Sequence, residues 1–104
     1  MESVEYVRRV LDAYRATPGT CGAIRKPDRA FALQLFARGV PLAAVENALL
    51  LACARRLARP ADAAPLGVIR SLAYFSPVID EVLDLRLDDA YFQHLRQRLA
   101  RILK

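Results

Sequence analysis

Tryptophan is missing from this 104-residue chain, and histidine and methionine occur once each, as His94 and Met1. One imidazole is a poor start for nucleophilic catalysis. Ser71, Ser76 or Cys53 would have to meet His94, and no local motif brings them there. The helical periodicity of the last third puts His94 on a polar face, as a solvated residue. Cysteine is scarce too: Cys21 and Cys53 lack CxxC spacing and with one histidine make no zinc ligand set, so reduced thiols are expected. The glycines of Gly19-Thr-Cys-Gly22 follow a helix, not a strand, and lack the GxxxxGK[ST] spacing, which excludes a nucleotide P-loop. Long apolar runs are absent as well. Val40–Val45 and Ala48–Ala54 are split by Glu46 and Asn47, and neither reaches the roughly 18–20 residues of a membrane span. The start, MESVEYVRRV, places acids first and has no apolar h-region. A cytoplasmic protein without membrane segment, cofactor, metal or enzymatic activity is the expectation.

What the chain does contain is arginine and apolar surface. Lysine and arginine number 16 against 11 acids, for a formal charge of +5, and 14 of the 16 are arginine. Such a balance suits a polyanionic partner, although abundant Ala, Arg and Leu also accompany GC-rich coding. Hydrophobic residues make up 55%, rather more than one small core requires, so part of that surface is available to a partner or a second copy.

Periodicity predicts an all-α, compact single domain over residues 1–104, a bundle of five to six short helices around a central apolar helical hairpin. Val4, Val7, Leu11 and Tyr14 mark one face of a first helix, Ser3 to Ala16, with Glu5–Arg9 and Arg8–Asp12 able to pair on the other. The loop TPGTCGAIRK follows. Pro27 and Asp28 suit the first turn of a second helix, with Phe31, Leu33 and Leu35 inward and Gly39 as its C-terminal cap. A third helix runs from Pro41 to about Arg59, and RPADAAPLG links the two halves. Val68, Leu72, Phe75 and Ile79 form a stripe across Ser76-Pro77, where Ser76 is placed to cap a restarted helix. A last helix, Asp88 to Leu103, turns Phe92, Leu95, Leu99 and Ile102 inward.

Two features invite functional readings. Asp80, Asp84 and Asp88 are four apart, so an unbroken helix would stack three carboxylates suited to Mg²⁺. With the helix ending near Asp84 and Asp88 capping the next, a solvated acidic edge is expected instead. QLFARGVPLAAVENALLLACARR, Gln34 to Arg56, reads as helix, turn, helix. A recognition helix must show polar side chains to base edges. After Glu46 and Asn47 this one runs ALLLACA, apolar on every face, which suits a core hairpin.

The basic residues are unevenly spread: Arg15 to Arg59 holds eight of them and only two acids. Arg25, Lys26 and Arg29 stand at the start of the second helix, where amides and dipole already favour an anion. Arg55, Arg56 and Arg59 crowd the end of the third, beyond what capping requires. With Arg70, and Tyr74 as a stacking surface, these residues would form one cationic face for nucleic-acid phosphates, DNA rather than RNA, with little base reading. The alternative is a helical protein–protein interaction module or homo-oligomeric adapter, a homodimer for example.

LFARGVPLAAVENALLLACARR, Leu35 to Arg56, followed by IRSLAYFSPVIDEVL, Ile69 to Leu83, resembles the helical C-terminal modules of bacterial primosome and replication-initiator proteins, the DnaD-like group included. In those modules a helical hairpin precedes a segment around an aromatic pair, here Ala73-Tyr74-Phe75. The resemblance covers about half of the chain. It implies binding to single- or double-stranded DNA or contact with a replication partner. The winged-helix domain that usually precedes such modules is not in this sequence, which implies an accessory role in replication, recombination or a mobile element.

Overall fold

The computed structural model describes residues 1–85 and 89–102. Helix α1 (Ser3–Ala16) forms as its spacing predicts, and Thr17 ends it by donating its hydroxyl to the Ala13 carbonyl at 2.7 Å. Its buried face is Tyr6, Val7, Val10, Leu11 and Tyr14. Val4, expected inside, is 77% exposed. Tyr6 takes the place in the core, because its ring buries more apolar area and its hydroxyl reaches the Val40 carbonyl at 2.8 Å. On the outer face Asp12 meets Arg8 at 3.8 Å and Arg15 at 3.1 Å. Glu5 turns to Arg8 at 3.9 Å rather than to Arg9.

Helix α2 (Lys26–Ala37) buries Asp28, Ala32 and Leu35, leaving Phe31 half-buried and Leu33 half-exposed. Gly39 at φ +75° turns the chain out of it, a conformation that any Cβ would strain. Helix α3 (Leu42–Leu57) stops two residues short of Arg59 and buries Val45, Ala48, Leu49, Leu51, Ala52 and Cys53. It is the central element, packed on α1, on α4 (Ser76–Leu85) and on α5 (Asp89–Ile102). Across Gly39, α2 packs on α1 as well and on a 3₁₀ turn at Leu72–Phe75.

That 3₁₀ turn is a departure from the expected single stripe. Leu72, Phe75 and Ile79 are fully buried, but Ile69 enters the core in place of Val68, which is 56% exposed. The cause is pairing: Ile69 donates to the Gly19 carbonyl at 2.8 Å and accepts from the Cys21 amide at 2.9 Å, which flips residue 69 inward. Ser76 has helical backbone angles, so it lies within the helix rather than capping it. In α5, Phe92 and Leu99 are buried and Leu95 is partly buried, whereas Ile102 is 57% exposed at the far end. One apolar cluster runs from Tyr6 to Phe92, so both halves of the chain share a core. No helix among the described residues is long and apolar enough to cross a membrane.

Candidate nucleic-acid interface

Buried Asp28 organises the basic residues of α2. Helix starts leave backbone amides without partners, and Asp28 fills one such place by accepting the Arg25 amide on Oδ2 at 2.8 Å. Its other oxygen accepts the Leu72 amide at 2.9 Å, a bond between residues 44 apart in sequence. Residue 69 is bonded to the glycine loop and residue 72 to Asp28. Arg70 is thereby fixed beside the first turn of α2, which carries Arg25, Lys26 and Arg29. All four cations are exposed, and none makes an ion pair with a described carboxylate. Asp28, 2% exposed and doubly bonded to amides, ties the two segments together, and Arg29 also borders a groove that includes Asp12 of α1.

The arginines at the end of α3 go elsewhere. Arg55 forms a two-pronged pair with Glu81 of α4, Nη1 to Oε2 at 2.7 Å and Nη2 to Oε1. The bond raises the arginine's pKa and holds the Glu81 carboxyl below its ordinary value. Arg38, at the end of α2, reaches the adjacent Asp80 at 3.4 Å. Asp80, expected on a separate acidic edge, is therefore a counter-ion of the basic half, as is its neighbour Glu81. Asp84 is exposed, and Asp88 lies outside the described residues. Among the described residues no three His, Cys, Asp or Glu side chains gather in a metal-binding group.

Arg56 and Arg59 hold the 58–70 segment. Arg56 donates through Nη2 to the Gly67 carbonyl at 2.9 Å and through Nη1 to the Tyr74 hydroxyl at 3.4 Å. Arg59 donates to the Ala64 carbonyl at 2.7 Å. Gly19, at φ +93°, lies against Arg56 so closely that a Cβ there would come within 3.3 Å of Nε. Tyr74 is 48% exposed with its ring edge-on to buried Phe75, so one ring face remains toward solvent while its hydroxyl serves Arg56. The eight residues thus divide. Arg25, Lys26 and Arg29 stand in the first turn of α2 with the Arg70 segment tied to it by Asp28, two arginines with Tyr74 hold the long loop, and Arg55 is neutralised.

Spacing carried no sign of the Asp28–Leu72 bond or of the Arg55–Glu81 pair, since both join segments that local periodicity treats separately. The capping role of Asp28 was the legible half. His94 is exposed on α5. Tyr14 is fully buried, its hydroxyl left with no partner beyond the weak Cys21 thiol beside it; burial, then that thiol and Asp28, push its pKa up to about 12. Compared with known proteins, the chain matches no family model, no curated protein and no solved structure.

Proposed function

We propose that this is a small nucleic-acid-binding accessory protein that grips the phosphate backbone, DNA in preference to RNA, in replication, recombination or a mobile element. The observation that carries this reading is the exposed quartet Arg25, Lys26, Arg29 and Arg70, gathered beside Asp28 without ion-pair partners among described carboxylates. These four cations lie next to the amide-rich start of α2, which itself favours an anion. The buried apolar faces of α3 argue against base reading by that helix, so affinity without sequence preference is expected. The biological setting rests on the resemblance to replication-initiator modules.

The test is binding to duplex DNA, single-stranded DNA and RNA across a salt series. Four phosphate contacts would give a log–log slope near −3.6 on duplex, about two orders of magnitude between roughly 50 and 200 mM salt. Arg25→Gln/Lys26→Gln/Arg29→Gln/Arg70→Gln should abolish that dependence. A flat salt response of the unaltered protein would refute the proposal.

A second reading, a homo-oligomeric or adapter module, is favoured by one observation. Between α3 and α5 lies an apolar groove whose edges include Leu57, Tyr91 and Ile102, exposed by 42%, 42% and 57%. Light scattering on the same sample decides it: a stable oligomer that leaves every nucleic acid unshifted would replace the first reading.

A further inference from the structure

A second cationic feature lies where α3 ends. The segment 58–67 arches back over the last turn of that helix and encloses an open cleft of about 360 Å³. Its floor is Cys53, 5% exposed, and Pro18, Leu57, Pro65 and Leu66 form apolar walls. Arg56 and Arg59 complete the lining.

The two guanidinium groups are held by backbone carbonyls, Arg56 by Gly67 and Arg59 by Ala64. Neither makes an ion pair with a described carboxylate, and Asp62 on the arching segment itself pairs with neither. The contrast with Arg55, bound on two prongs by Glu81, is chemical. A carbonyl orients a guanidinium without cancelling its charge, and each group keeps further N–H donors in a fixed plane. The α3 C-terminus attracts cations, but the carbonyls that hold Arg56 and Arg59 belong to the arching segment and not to that helix. Two oriented, uncompensated guanidiniums beside an apolar floor are what a small amphipathic anion needs, and the volume falls within the range of about 300–1,000 Å³ common for small-molecule sites.

We infer that this cleft binds a small organic anion, its apolar body against Cys53, Leu57 and Leu66 and its oxyanion head accepting hydrogen bonds from Arg56 and Arg59. The head is a carboxylate or a phosphomonoester. The site is separate from the α2 edge and does not depend on nucleic-acid binding.

The experiment is an amide chemical-shift titration of the isotope-labelled protein with hexanoate and with phenyl phosphate, each beside its uncharged counterpart, hexanol and phenol. Saturable shifts at Gly19, Ala64 and Gly67 are expected for at least one anion, and the tighter of the two identifies the head group. Arg59→Gln should weaken binding at least tenfold and Arg59→Lys should restore most of it. Leu66→Glu sets a carboxylate on the cleft wall without touching either carbonyl bond, and it should abolish binding while the protein stays folded. The inference is overturned if neither anion saturates, if the alcohols bind as well as the anions, or if Arg59→Gln and Leu66→Glu both bind normally. The fourfold variant of the α2 edge should keep its anion binding, so the two proposals fail separately.

Discussion

Basic residues that face α4 and basic residues at the first turn of α2 meet different surroundings. In the first set, Arg38 and Arg55 meet Asp80 and Glu81 from a helix more than twenty residues further on. In the second, Arg25, Lys26 and Arg29 occupy the first turn of α2 and Arg70 the segment tied to it through Asp28, a carboxylate that is buried and engaged by two amides. A basic residue therefore counts toward an anion site only after the fold has decided which acids face it. Exposed pairs contribute little to stability, so the acids of α4 matter here mainly by removing charge from the surface.

The sharpest way to break this contrast is the fourfold glutamine variant of the α2 edge. It should lower duplex affinity at low salt by about two orders of magnitude, given the weight of each phosphate contact, whereas Arg38→Gln/Arg55→Gln should change it little. Equal losses from both variants, read by fluorescence anisotropy, would erase the distinction between the two faces. Next in size is Asp28→Ala, which strands the Arg25 and Leu72 amides at once. A loss of about 2–4 kcal/mol is expected in urea unfolding, since each buried unsatisfied group costs about 1–3 kcal/mol. The Leu72 amide should also exchange faster with solvent in that variant.

Tyr14→Phe probes the aromatic core beneath the glycine loop. Its buried hydroxyl has no partner beyond the weak Cys21 thiol, so removing it should leave stability unchanged or raise it by about 1 kcal/mol. A clear loss in thermal unfolding would mean that the hydroxyl has a partner after all. The smallest effect concerns Glu81→Gln, which releases Arg55. The melting temperature should hardly move, while the salt dependence of binding steepens by about 0.9, one phosphate contact. Acid should mimic it. The Glu81 pKa is depressed by Arg55, so the pair persists above the ordinary carboxylate range and is lost as pH falls through that lowered value.

Much of the architecture was legible. Tyr14, Leu35, Phe75 and Phe92 are all fully or almost fully buried where helical spacing put them. Leu33, mid-helix in α2, is half-exposed against expectation, and the other three misplacements share an origin. Val4, Val68 and Ile102 satisfy a helical stripe, yet they lie at or beyond the end of an element, where periodicity does not say whether a neighbour covers the side chain. Ile69 enters the core through a two-bond bridge to the glycine loop, a non-local event. The basic residues near Asp28 were identified singly, but their meeting with Arg70 depends on one carboxylate joining two helical starts.

By itself the sequence determined the helices and their approximate ends, because capping, turn glycines and amphipathic spacing act within about one or two helical turns. It also determined the excess of positive charge, which is a matter of counting. Tertiary structure alone decided where that charge survives. Arg55, Arg56 and Arg59 are near neighbours on one helical end, yet they meet a carboxylate, a carbonyl with a phenol, and a carbonyl, respectively. Those partners arrive from segments up to 26 residues away, and Coulomb energy depends on distance in space, not along the chain.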